Sequence, residues 1–238
     1  MKKISIAFVI GLLAITACTK DNYSGPDAKI QGRFLDSATG ALVGTDIQNG
    51  NAIQVVEQGF EGHSQVQTWN VMNTGEWQNK LVFSGTYDVT LQNGNFFPQT
   101  EVLVVKKGNN QHDFVVTPYL RIINPSISKS GNIVTATFSL QAGSPEVKVK
   151  SVRLFAFSDM WVGNSVKYNL SGGTDLKEYD SAVEVDGTQY TLTIDTSANS
   201  AFFKYTNKNY YFRIGALAAV NGVGTVRHNY SELVVIKF

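Results

Sequence analysis

The 238-residue chain carries 20 Lys and Arg against 19 Asp and Glu, a formal net charge of +1, with 16% charged residues. That balance offers no basic face large enough for a nucleic acid; it argues against a polyanionic partner and suits a neutral one such as a glycan. The single cysteine leaves nothing for disulfides or thiolate metal sites, so core burial alone must hold the fold.

The chain opens with Lys2 and Lys3, an apolar run from Ile4 to Ile15, and small residues at its end. This reads as a secretory signal, too short to span a bilayer, which needs about 20 apolar residues. Ile15-Thr16-Ala17-Cys18 resembles a bacterial lipoprotein box. The resemblance implies that residues 1–17 are removed and that Cys18 becomes the lipid-bearing first mature residue. Losing Lys2 and Lys3 takes the net charge from +1 to −1. A plain signal peptide with a chance cysteine is the alternative. Residues 18–28, with Gly25 and Pro26, form a polar tether. Lys20-Asp21 resembles the acidic export cue of surface lipoproteins in the Bacteroidetes, and surface and periplasm-facing orientations both stay open.

From Ile30 the pattern is β, with alternation and Gly/Asn/Ser punctuation about every ten residues. Predicted strands run over 30–36, 53–57, 65–71, 77–83, 86–91, 102–105 and 113–117. Ala38-Thr39-Gly40, Asn73-Thr74-Gly75 and Ser84-Gly85 supply turns. The pattern I-x-G-x-x-x-D-x-x-T-G over Ile30 to Gly40, followed by Gly75-Glu76-Trp77 and Gly85-Thr86-Tyr87-Asp88-Val89, resembles the carboxypeptidase-regulatory or prealbumin-like β-sandwich, whose Tyr, here Tyr87, folds over the sandwich corner. Asn95-Phe96-Phe97-Pro98 and Val116-Thr117-Pro118-Tyr119-Leu120-Arg121-Ile122 narrow the match. The chain resembles a family of Bacteroidetes lipoproteins known only as a domain of unknown function. Their genes typically lie beside glycan importers of the starch-utilisation type.

Thr117-Pro118-Tyr119 is the predicted boundary between domains over 29–119 and 120–238. Pro118 fixes φ, pushes Thr117 extended and stiffens the joint, and Pro125 reinforces it. Beyond it, strands are predicted over 133–140, 147–157, 183–185, 190–194, 210–220 and 233–238. Asp186-Gly187 reads as a hairpin turn, and 198–205 as the one stretch able to hold a helical turn. Tyr210 to Ala216 resembles the penultimate strand of a fibronectin type III-like sandwich, and Val226 to Glu232, with Asn229-Tyr230-Ser231, the turn into its last strand. The expected fold is all-β, two tandem sandwiches.

Catalytic signals are weak. His63, His112 and His228 are scattered, and no nucleophile elbow or phosphate loop occurs. Asp175, Glu178 and Asp180 crowd a predicted loop, short of the six or more oxygens that calcium takes. No metal, cofactor or enzymatic activity is expected. With 3 Trp, 10 Tyr and 14 Phe, aromatic rings are the remaining candidates, since a flat ring stacks on a pyranose face; the same rings also fill cores. Trp161, in the loop Ser158 to Asn164, leads as an exposed ligand contact. Phe96 and Phe97 follow, because adjacent rings on an extended chain cannot both point inward. Trp69 is also carried, although its alternation with Val71 favours burial, as its motif position does for Trp77. Tyr168, Tyr179 and Tyr230 rank lower. Order along the chain puts Trp161 in the domain farther from the membrane. The resemblance implies a lipid-anchored outer-membrane accessory of glycan uptake that binds carbohydrate or docks on the transporter complex. A purely structural interaction subunit is the rival reading, and a hydrolase a distant third.

Overall fold

The computed structural model describes residues 24–59, 65–172 and 174–238. Cys18, the signal segment, most of the tether and His63 lie outside them. Among the described residues the chain forms sixteen strands and no helix, arranged as two β-sandwiches.

The first sandwich comprises β1 (Ala28–Asp36), β2 (Ala52–Glu57), β3 (Gln67–Asn70), β4 (Glu76–Val82), β5 (Gly85–Leu91), β6 (Gln99–Val105), β7 (Gly108–Gln111) and β8 (Phe114–Val116). One sheet runs β4-β1-β7 with β8 also on β1, and the other runs β3-β2-β5-β6. Alternation builds the core between them. On β1, Ile30 and Phe34 point inward while Lys29, Gln31 and Arg33 face water. They meet Ile53, Val55, Val89 and Leu103 from the facing sheet. The Tyr87 hydroxyl donates to the Phe83 carbonyl at 2.8 Å, tying the corner as the motif implies. Burial and nearby Glu57 push its pKa to about 12.

The second sandwich comprises β9 (Leu120–Ser130), β10 (Ile133–Ala142), β11 (Lys148–Phe157), β12 (Leu176–Val183), β13 (Tyr190–Asp195), β14 (Asn209–Ala219), β15 (Asn229–Tyr230) and β16 (Val234–Lys237). β13-β10-β9 face a sheet in which β12-β11-β14 continue into β15 and β16, both paired to β14. Val134, Ala136, Phe138 and Leu140 do fill the core, as their alternation predicts.

Several expectations change. Pro125 does not merely stiffen a joint; it lies inside β9. Thr137 pairs with Ser126 and Ser139 with Ile123, so Asn124 and Pro125 form a bulge opposite Phe138. Proline has no N–H to give the ladder, and Asn124 takes the left-handed conformation at φ 49°. Asp186-Gly187 turns the chain, but not into a hairpin. β12 pairs with β11 and β13 with β10, so the segment crosses between sheets. A two-residue turn signal specifies a hairpin only when its flanking strands are neighbours. The predicted acidic loop is mostly strand: Glu178 and Asp180 lie on β12, and Asp175 is held by Arg153 at 3.1 Å. Residues 196–203 form successive turns rather than a helix.

Candidate functional site

The two domains meet through loops, and Asn95 is the centre of the joint. It is wholly buried, and each of its polar groups is used. Its amide donates to the carbonyls of Gly44 (2.8 Å) and His228 (2.9 Å), and its Oδ1 accepts from Asn51 Nδ2 (2.9 Å). Its backbone carbonyl accepts from Asn229 Nδ2 (2.8 Å) and the Tyr119 N–H (3.0 Å). The flanking rings divide between domains because successive side chains point to opposite sides. Phe96 enters the first core and stacks on Phe34 at 5.2 Å. Phe97 packs against the second core, edge-on to Tyr119 at 4.9 Å.

Arg213 is the second tie. Strand β14 is buried on both faces here, its inner face by the second core and its outer by the first domain's loops. The guanidinium donates to the carbonyls of Ser231 (2.9 Å), Thr45 (2.9 Å) and Asn73 (3.0 Å), and lies 4.3 Å from the Tyr230 ring. Gly44 is required beside it, since a Cβ there would stand 2.2 Å from Arg213 Nη2. Burial lowers the Arg213 pKa to about 10, which still leaves it charged at neutral pH. A third tie is Arg121, whose Nε and Nη2 grip Asp36 at 2.5 and 2.7 Å. Burial opposes ionisation of Asp36, but Arg121 and the Ala38 N–H outweigh it and hold its carboxyl below the usual range.

The Ser158 to Lys167 loop completes the joint. Its Met160 carbonyl accepts from Asn73 Nδ2 (2.8 Å), and Ser165 Oγ donates to the Gln48 carbonyl (2.7 Å). Trp161, expected as an exposed contact, is half-buried, and its loop lies against the first domain. Loops at the near end of a second domain come back to the joint, whatever their distance along the chain. Trp69 is buried at 3% exposure and stacks on Trp77 at 5.7 Å, and Phe96 is buried at 0%. Both lie in the core rather than on a sugar platform, Trp69 as alternation along β3 dictates. Tyr179 lies on β12, and the Tyr168 ring stacks on Phe202 at 4.6 Å.

Between these ties lies a cleft of about 670 Å³. Its walls are aliphatic, formed by Leu42, Ile122, Ile123, Pro125, Met160 and Leu233. Asp36, Arg121, Arg213 and Asn73 add polar groups, but protein partners already occupy most of their hydrogen-bonding capacity. Asn73 Oδ1 is the exception, buried with no partner among the described residues. The ionisable groups of the joint thus fix geometry, and what the cleft offers a ligand is apolar contact. Sequence reasoning passed over Arg213, Asp46, Asn95 and Asn229. Only Arg213 carried a visible signal, a cation inside the run Tyr210 to Leu217, where a fully buried charge requires partners.

Two family models match the chain: "Protein of unknown function (DUF3823) N-terminal domain" over residues 28–117, and "Domain of unknown function (DUF3823_C)" over 120–235. A crystal structure of a candidate carbohydrate-binding protein from Bacteroides uniformis ATCC 8492 is 55% identical, with a TM-score of 0.86, and the match covers 90% of this chain and 100% of that one. A DUF3823 family protein from Parabacteroides merdae ATCC 43184 shares the fold at 23% identity and TM-score 0.71, covering 90% and 100% of the two chains. Another, from Bacteroides uniformis, does so at 19% and 0.73, covering 89% and 99%. No curated protein matches the chain.

Proposed function

We propose, from the premise that the chain belongs to the DUF3823 family, that it is a non-catalytic accessory of outer-membrane glycan uptake, tethered by lipid on Cys18, and that it binds a neutral carbohydrate. The observation that carries this reading is the 55% identical Bacteroides uniformis candidate carbohydrate-binding protein, matched over its whole length. The near-neutral charge is consistent with an uncharged ligand. Calorimetric titration of the mature chain with neutral polysaccharides tests it: saturable heat supports the reading, and no heat with any of them removes it. Incorporation of labelled palmitate, lost in Cys18→Ser, tests the anchor.

A second reading is favoured by the cleft. Its walls are aliphatic, and a hydroxyl-rich ligand gains little there; an apolar side chain from a partner gains about 25 cal/mol per Å² buried. On this reading the protein is an interaction subunit that docks on the transporter complex. Co-purification with a transporter component from solubilised envelope, together with no glycan binding, supports it.

A further inference from the structure

The sheet β4-β1-β7 carries a second depression, of about 410 Å³, and its chemistry differs from that of the cleft. Gln31 on β1 pairs in register with Gln78 on β4 and with Gln111 on β7. Directly paired residues share a face of the sheet, and all three are exposed. They form one row of carboxamides across three strands. Two residues along, Arg33 pairs with Glu76 and grips Asp113, at 2.5 Å from Nη2 and 3.3 Å from Nε. The depression therefore holds three neutral amides, one ion pair and one further carboxylate.

Gly32 makes this row possible. β7 and β8 both run parallel to β1 in one continuous register, and the two-residue link between them, His112 and Asp113, passes directly against it. A Cβ on Gly32 would stand 1.6 Å from the His112 carbonyl oxygen. Without a side chain there, the link keeps Gln111 and Asp113 level with Gln31 and Arg33. The row is also unspent. The side chains of Gln31, Gln78 and Gln111 hydrogen-bond to no other described residue, whereas Gln54 and Gln92 on the facing sheet bond to each other at 2.9 Å.

We infer that this glutamine row is the saccharide-contacting site, a deduction that rests on the carbohydrate-binding reading above. A carboxamide presents two N–H donors and a carbonyl acceptor in one plane, so it can donate to one hydroxyl of a vicinal pair while accepting from the other. Neighbouring strands lie about 4.8 Å apart, so the row spans about 10 Å, the reach of two sugar units. Glu76, whose carboxylate accepts from Thr74 Oγ1 at 3.1 Å and makes no salt bridge to another described residue, disfavours acidic glycans. The cleft at the joint has little to offer hydroxyls, whereas the row has little else to offer.

The test is calorimetry on the mature chain with soluble starch, β-glucan, xylan, galactomannan and levan. The combined variant Gln31→Ala, Gln78→Ala, Gln111→Ala should bind at least tenfold more weakly with an unchanged melting temperature. Gln31→Glu, which keeps side-chain length but removes both donors, should weaken binding alone and covers the case in which the triple variant misfolds. Gln54→Ala, an amide on the facing sheet, should bind as the parent does. If the parent binds a glycan and both row variants bind it equally well, the row is wrong while the carbohydrate reading stands. If the parent binds none of the five, both fall.

Discussion

Tyr230 donates its hydroxyl to Asp46 Oδ2 at 2.6 Å across the domain joint, between residues 184 positions apart. Burial raises the Asp46 pKa despite this bond. Burial and Asp46 together push the Tyr230 hydroxyl well above its ordinary range, so it remains a donor. The same ring lies over Arg213, whose three carbonyl partners come from both domains. A joint held by so many buried polar groups behaves as a single cooperative part.

Arg213→Met should therefore destabilise the whole chain. It leaves the Ser231 and Thr45 carbonyls without a donor, whereas the Asn73 carbonyl still accepts from the Thr45 N–H at 3.0 Å, and each buried polar group so stranded costs about 1–3 kcal/mol. A net loss of about 3 kcal/mol or more is expected by urea unfolding. Arg213→Lys should recover only part of it, because one ammonium cannot reach three diverging carbonyls. An unchanged midpoint for Arg213→Met would show that the joint contributes little.

Gly44→Ala should mimic this damage from the other side. The new Cβ would stand 2.2 Å from Arg213 Nη2 and 3.0 Å from the Asn73 carbonyl, so the guanidinium must move. The combined variant Gly44→Ala, Arg213→Met should lose clearly less than the two single losses added together, because the second substitution removes the group that the first one strikes. Simple additivity in a double-mutant cycle would argue against the shared contact.

His228 predicts a pH dependence. Burial, then Lys167 and Arg153, lower its pKa to about 4, against about 6.5 when unfolded. Below pH 6.5 the unfolded chain takes up a proton that the folded chain refuses. Stability should be fully present above pH 6.5 and should fall by on the order of 3 kcal/mol as the pH drops towards 4. His228→Gln should flatten this part of the melting-temperature profile. If the two profiles run parallel between pH 7 and 4.5, His228 is not the cause.

Trp69 and Trp161 should differ in what their loss costs. Trp69→Ala opens a cavity against Trp77 and Tyr87 and should cost about 3–5 kcal/mol. Trp161→Ala, at a half-buried loop position, should cost about 1 kcal/mol or less. Thermal unfolding of both variants checks this, and equal losses would contradict the burial difference.

The first sandwich was legible because its strands alternate cleanly: Ile30, Phe34, Trp77 and Tyr87 fall inward at the positions their pattern demands. Strand β9 was not, because Pro125 reads as a breaker and only the register opposite Phe138 reveals a bulge. The Asp186-Gly187 turn was legible as a turn but not as a crossing between sheets, since a local signal does not specify which strand is next in space. The joint was largely invisible. Asn95, Asn229 and Asp46 are ordinary polar residues by composition, and they are brought together only where the two domains meet. The glutamine row needed the same tertiary information: Gln31, Gln78 and Gln111 lie far apart in sequence, and only the pairing of β1 with β4 and β7 aligns them.

The late position of Arg213 has a consequence for how the chain is completed. Its partners at Thr45 and Asn73 are synthesised 168 and 140 residues earlier, and Asn95 precedes His228 by 133. The first sandwich can close on its own core, yet its joint-facing amides and carbonyls stay hydrated until β14 and β15 arrive. A chain interrupted before Asn209 would carry a finished first core beside an open seam, and such unfinished surfaces invite misassembly. The last thirty residues thus act as a closing clasp, and full resistance to proteolysis should come only with their arrival.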